Sequence, residues 1–197
     1  MRSAGRALVA AAVLAAAVPG AAAFEGNVNV FAGQKWLNKS DWEPIEKQPE
    51  LGILFAFGET RAPIHFAIDV FHATDKTTTD VTGVGAVDVE GTTTEYSLGV
   101  RKFFRRHAIT HPHLGGGATV ASGELRLENS GLGRIESDDS AFGLWIDGGI
   151  TWRLAKHLNL GVEVRYTRYE FEFGTIFLEN ELKGGGFHAG ALIGYGW

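Results

Sequence analysis

FGLWIDGGITWR, residues 142–153, decides the fold. Phe142, Leu144, Ile146, Gly148, Ile150 and Trp152 alternate with Gly143, Trp145, Asp147, Gly149, Thr151 and Arg153. The period is two, so the segment reads as a strand with one apolar face and one polar or small face. The same alternation recurs along the chain in both directions. Leu158, Leu160, Val162, Val164 and Tyr166 alternate with Asn159, Gly161, Glu163, Arg165 and Thr167. Ile64, Phe66, Ile68 and Val70 alternate with His65, Ala67, Asp69 and Phe71. Phe187, Ala189, Ala191, Ile193, Tyr195 and Trp197 alternate with His188, Gly190, Leu192, Gly194 and Gly196.

Eight segments of this kind are expected, at roughly 25–37, 50–58, 63–73, 92–103, 111–127, 141–154, 158–173 and 185–197. The breaks between them come in two sizes. Gly58–Ala62, Phe104–Thr110 and Ala155–His157 are short; Asn38–Pro49, Thr74–Gly91, Glu128–Ser140 and Gly174–Gly184 are long. Long and short alternate strictly, which is the order of an all-β, eight-stranded antiparallel up-and-down barrel. Short turns at one end and long loops at the other are the signature of a transmembrane β-barrel of the outer membrane.

Composition agrees. A chain with 45% hydrophobic and 21% charged residues is too apolar to be disordered. No apolar run beyond the N-terminus is long enough for a spanning helix. Residues 1–23, MRSAGRALVAAAVLAAAVPGAAA, read as a secretory signal peptide. Arg2 and Arg6 form the positive region, Ala7–Val18 the apolar core, and Ala21–Ala23 a cleavage site before Phe24. The absence of cysteine there argues against a lipid anchor, and its absence from the whole chain excludes a disulfide scaffold. Removing 1–23 takes away two of 18 basic residues and no acid, leaving 16 against 23 and a net charge of −7. Such an acidic chain is a poor candidate for nucleic acid, whose phosphates need Lys and Arg, and no nucleic-acid partner is expected. Residues 24–197 form one domain, without a linker.

Together these segments resemble the small eight-stranded outer-membrane β-barrels of the OmpA/OmpX type, over the whole mature chain. The resemblance is architectural. Its best local feature is the final strand, where Ile193, Tyr195 and Trp197 share one face. Barrels of this class end in such an aromatic pattern, read by the barrel-assembly machinery. The family often has a glycine where this chain has Leu192, with its own glycines at 190, 194 and 196. The resemblance implies outer-membrane lipid and lipopolysaccharide as surroundings, and a monomer.

Aromatics are expected in two girdles at the membrane boundaries. Trp36, Tyr96, Phe142, Tyr166 and Phe187 fall at the outer one; Trp152, Tyr195 and Trp197 fall at the periplasmic one. A soluble lipocalin-like barrel would need the same faces inverted, with the large apolar residues of eight strands crowded inside. Inward candidates are Glu25, Asn27, Asn29, His65, Asp69, Glu95, Arg101, Asp147, Arg153, Glu163 and Arg165. Buried charges must pair, so a polar network of Glu95, Arg101, Asp147, Arg153, Glu163 and Arg165 is expected to fill the lumen. A narrow ion or water path through it, or a lateral route for lipid or small solutes, is the alternative function.

No nucleophile elbow, phosphate-binding loop or dinucleotide fingerprint occurs. Known small barrels include lipid A-modifying enzymes, which makes His72, Thr74 and Asp75, and His188, at the outer rim the candidates for acyl-transfer groups. They lack an evident orienting group, and no catalytic residue, cofactor or metal is assigned. His107, His111 and His113, within HAITHPH, read as surface turn histidines rather than metal ligands. The outer breaks are acidic, with Asp75, Asp80, Asp88 and Glu90 against Lys76, and Glu128, Glu136, Asp138 and Asp139 against Arg134. These read as solvated loop charge; the alternative is capture of Ca²⁺ or Mg²⁺ shared with lipopolysaccharide phosphates, since hard cations take carboxylate oxygens. The short turns carry Arg61, Arg105, Arg106 and Lys156 instead. In WLNKSDWEP, residues 36–44, Trp36 and Trp42 could either anchor the loop at the interface or form a binding surface.

Overall fold

A computed structural model describes residues 24–81, 85–104, 109–129, 133–154, 156–175 and 178–197. The leader expected at 1–23, and Arg105, Arg106 and His107, lie outside these residues. Ten strands and one helical turn follow in order: β1 (Phe24–Leu37), α1 (Lys39–Trp42), β2 (Lys47–Glu59), β3 (His65–Val81), β4 (Gly85–Phe103), β5 (Thr110–Asn129), β6 (Gly133–Arg153), β7 (Leu158–Arg168), β8 (Glu170–Thr175), β9 (Leu178–Lys183) and β10 (Gly186–Gly196). Eight of them close into a barrel in the order β1-β10-β7-β6-β5-β4-β3-β2, and β8 and β9 form a separate two-stranded sheet. All pairings are antiparallel. Closure joins the ends of the chain: Asn27 pairs with Gly196 and Leu37 with Gly186.

The alternation in the sequence becomes an alternation of exposure. Along β6, Phe142, Leu144 and Ile146 are 72%, 64% and 63% exposed, while Trp145 and Asp147 between them are 1% and 3% exposed. Phe66, Ile68, Leu98, Val120, Val162 and Ile193 are exposed in the same way on other strands. A continuous apolar band of this size belongs against lipid rather than water. Most large apolar residues of the ring strands therefore point outward, opposite to a soluble lipocalin-like barrel.

Four strands are longer than the hydropathy pattern indicates. The break expected at 74–91 is a strand pair that continues to Val81↔Gly85. The break expected at 128–140 continues as β5 and β6 to Asn129↔Gly133. Above the bilayer both faces meet water, so the apolar half of the pattern disappears. Thr74, Thr77, Thr78 and Thr79 keep the β preference of branched side chains. The segment expected as one strand over 158–173 is two: β7 ends at Arg168, Tyr169 turns inward, and β8 leaves the ring. Most of the break expected at 174–184 is the β8–β9 hairpin.

Between β1 and β2, Asn38 caps α1 by accepting a hydrogen bond from the Ser40 amide at 3.1 Å. The turn folds back over the ring and buries Trp42 and Ile45. They join Leu37, Ala121, Ala141, Tyr169 and Phe171 in an apolar cluster at the outer end, with Val89 and Leu125 against it. A second apolar layer of Phe31, Leu54, Phe71 and Leu192 lies within the ring.

Candidate functional site

The inner face of the ring is the densest collection of ionisable groups among the described residues. Arg101 on β4 donates to Asp147 on β6, with Nε to Oδ2 at 3.1 Å, and its Nη2 also meets Asp147 Oδ2. The same nitrogen lies 3.1 Å from Asp69 Oδ2 on β3 and 3.8 Å from Glu163 Oε1 on β7. Arg165 on β7 reaches Asp69 at 2.9 Å from the opposite side and donates to Ser97. His113 on β5 meets Glu163 Oε2 at 3.2 Å. Two guanidiniums thus face three carboxylates, all almost fully buried. Their desolvation is offset by mutual attraction and multiple hydrogen bonds.

Aromatic rings hold this cluster in place. The Arg165 guanidinium lies between Trp145, 4.4 Å from the ring centre, and Phe71, at 4.6 Å. Trp145 itself fits only because Gly99 faces it. A Cβ on Gly99 would stand 2.6 Å from the indole and 2.3 Å from the Gly116 carbonyl. The indole Nε1 donates to the Ala118 carbonyl at 3.1 Å.

A second cluster lies nearer the outer end. Lys35 on β1 donates to Glu95 at 2.8 Å, Thr93 at 3.0 Å and Tyr169 at 2.7 Å. The Tyr169 hydroxyl donates to Glu95 at 2.8 Å. His188 on β10 places Nδ1 2.9 Å from Glu50 and Nε2 3.0 Å from the Thr167 hydroxyl. Glu50, Glu95 and His188 offer ligand atoms within 4.8 Å of one another, the one grouping of metal-ligand type found among the described residues. The Lys35 ammonium on Glu95 already supplies a cation there. Both His188 ring nitrogens already have partners.

The expected interior residues are distributed unevenly. Arg101, Asp147, Glu163 and Arg165 meet in the first cluster, and Glu95 belongs to the second. Arg153 is a correction: it is half-buried near the short turns and donates to Asn159 at 3.2 Å, apart from both. Its position on the inner face is right in period but too low in the ring. His111 and His113 also differ from expectation. They are 8% and 6% exposed, on the inner face of β5 rather than in a surface turn, because the strand starts at Thr110. His72 is exposed and bonds Thr94 at 3.0 Å, while Thr74 bonds Thr92. No acyl-transfer grouping forms from His72, Thr74 and Asp75.

Lys35, Glu50, Ser97, Thr167 and Tyr169 belong to these clusters but do not stand out in the sequence. Lys35 and Glu50 carry the same period signal as the others. Their neighbours on the inner face, Phe31 and Gly33 on β1 and Leu54 and Ala56 on β2, mask it.

The aromatic belts contain more residues than expected. At the outer level Trp36 packs on Phe187, 5.8 Å between ring centres, and Tyr166 pairs with Phe187 across the strands. Tyr96 and Phe142 are exposed on β4 and β6. At the other end Trp197 packs on Phe55 at 5.8 Å, and Phe57 on Phe66 at 5.8 Å. Tyr195 stacks on His157 at 4.8 Å, and Trp152 pairs with Thr110 and Leu160 near the short turns. Trp42 is buried, and its Nε1 donates to the Lys183 carbonyl at 2.9 Å, so it serves neither of the exposed roles considered for it.

Closed ring, outward apolar band and paired aromatic belts define a class: a small integral barrel of the outer membrane. Residues 7–193 match the family model described as outer membrane protein beta-barrel domain, and the chain belongs to that family. No curated protein matches the sequence. Among solved structures, the chain is similar to Ail, the attachment invasion locus protein of Yersinia pestis, in complex with the heparin analogue sucrose octasulfate. Identity is 11%, coverage 89% of this chain and 99% of that one, and the TM-score 0.58. It is also similar to a major outer membrane protein from Thermus thermophilus, with 13% identity, coverage of 89% and 99%, and a TM-score of 0.54. At these identities the likeness is one of fold.

Proposed function

We propose that the protein is a non-conducting, non-catalytic barrel with a structural and surface-interaction role, its lumen sealed by its own side chains. The observation that carries this is Arg165, held between Trp145 and Phe71 and bound to Asp69 across the ring. An eight-stranded barrel has an interior that side chains just fill. Here an aromatic sandwich occupies the middle, and Trp42, Ile45 and Phe171 cover the outer end. Export by residues 1–23, assembly through β10 and a monomeric state belong to the same proposal.

Reconstitution into planar bilayers tests it. The expected result is no discrete voltage-driven current steps from the wild-type protein. Steps of uniform size would establish the alternative, a narrow channel.

A further inference from the structure

Acids outnumber bases on the inner face of the ring. Among the described residues, five buried carboxyl groups lie there: Glu50, Asp69, Glu95, Asp147 and Glu163. Three buried Lys and Arg side chains, Lys35, Arg101 and Arg165, stand against them. Lys35 sits on Glu95, and the two guanidiniums sit on Asp69 and Asp147. Glu50 and Glu163 are left over. Arg101 comes no nearer to Glu163 than 3.8 Å. Each of these two acids meets a histidine instead.

On β10, His188 Nδ1 lies 2.9 Å from both Glu50 oxygens. Its Nε2 lies 3.0 Å from the Thr167 hydroxyl of β7 and 3.7 Å from Glu95 of β4. Phe71 of β3 covers the ring at 6.0 Å, and Lys35, its register partner on β1, is bonded to Glu95. On β5, His113 Nε2 lies 3.2 Å from Glu163 Oε2 of β7. Arg101 of β4 faces the other Glu163 oxygen, and Asp147 of β6 is held by Arg101. Phe103 stands between His113 and His65 of β3, 5.4 Å from each ring. His65 meets Glu25 of β1 at 3.3 Å, in the hollow at the short-turn end that His111 and Arg153 also line. The side chains of both Glu–His pairs are at most 2% exposed.

We propose that the closed lumen binds two protons, one shared by Glu50 and His188 and one by Glu163 and His113, and that these protons hold the plug together. Each lies on a short contact between a carboxyl oxygen and an imidazole nitrogen. Whichever partner carries it, the pair as a whole is neutral. Five acids are then matched by three Lys and Arg side chains and two protons. Without the protons two charges would stand uncompensated and away from water, which burial strongly opposes. Alkali removes a proton only by leaving such a charge, so rising pH loosens the plug from within. The inference rests on the sealed lumen of the proposed function. Conductance tests the seal and a proton count tests the pairs, so either can fail alone.

Equilibrium unfolding of the full chain by urea in lipid, across about pH 7.5 to 8.5, tests this. In that range the histidines and carboxyls of an unfolded chain have given up their protons. The folded wild-type protein then holds two protons more, so its stability falls as pH rises. Its unfolding constant is expected to increase about a hundredfold per pH unit. Glu50→Gln and Glu163→Gln each remove the need for one proton and are expected to reduce the increase to about tenfold. The double variant is expected to be nearly flat. Glu43→Gln, at the exposed end of α1, is expected to keep the wild-type dependence. A gel shift on boiling identifies variants that have folded. A wild-type increase of about tenfold or less, or the same dependence in the Glu50 and Glu163 variants as in the wild type, would overturn the proposal.

Discussion

Ile146 and Asp147 are adjacent in the chain and face opposite media, 63% and 3% exposed. Substitutions at the two positions should therefore fail differently. Ile146→Arg places a charge on the lipid face and should cost about 2–4 kcal/mol near mid-membrane. Asp147→Asn keeps the volume but removes a charged partner of Arg101, while Asp69 and Glu163 remain. It should insert normally and lose about 1–3 kcal/mol of folded stability. The fraction of heat-modifiable band measures insertion, and a urea titration in lipid measures stability. Equal behaviour in both assays would contradict the orientation of β6. At this scale the two-residue period carries much of the information, since it tells which face a residue occupies. It does not tell height in the ring. Arg153 has the same parity as Asp147 but lies three alternations lower, and it bonds Asn159 instead of the central acids. Lys35, Glu95 and Tyr169 come together only through the closure of β1 onto β10, which no local window contains.

Elements differ in how plainly the sequence announces them. A strand in the bilayer declares itself through contrast between its faces; a strand in water does not. That is why the upper halves of β3 to β6 read as loops. Their outward face carries two interactions that respond to pH. The Thr78 hydroxyl and Lys76 hold the Asp88 carboxyl below the usual carboxylate range, and Asp88 in turn raises Lys76. Partial desolvation and a hydrogen bond to Glu136 push Glu124 above that range. The signs are opposite. Ionised Asp88 favours the folded hairpin at neutral pH, and this contribution is lost as pH falls through its lowered value. Glu124 favours the fold when protonated, and that contribution is lost as pH rises through its raised value. Carboxyl NMR titration should show Glu124 titrating later than Asp88, with its midpoint moving down in Glu136→Ala. An unmoved midpoint would show that the two carboxyls do not share a proton. The loop bearing α1 offers a separate check. Trp42→Ala removes the side chain that seats this loop and should make residues 38–46 much more sensitive to limited proteolysis, while the gel shift of the barrel persists. Unchanged cleavage would contradict the seating of the loop.

At the scale of the whole molecule, strand number and connectivity are legible in the sequence because they follow from the strict alternation of long and short breaks. Closure is legible because a sheet with an apolar outer band has no stable open edge in lipid. The departure of β8 from the ring after Tyr169 is not, because the apolar period continues through Phe171 and Phe173. The rim is consequently uneven. On one side β3 to β6 rise above the outer aromatic belt, while on the other β1, β7 and β10 stop near it. At about 3.3 Å per residue and a strand tilt near 40°, the eight residues from Thr74 to Val81 stand roughly 20 Å higher than the low side. The high wall carries Asp88, Glu90, Glu124, Glu136 and Asp138 against Lys76 and Arg126. The barrel therefore has a front and a back in the plane of the membrane. Two copies diffusing in one leaflet meet acid against acid when they approach front to front, so crowding disfavours that azimuth of approach.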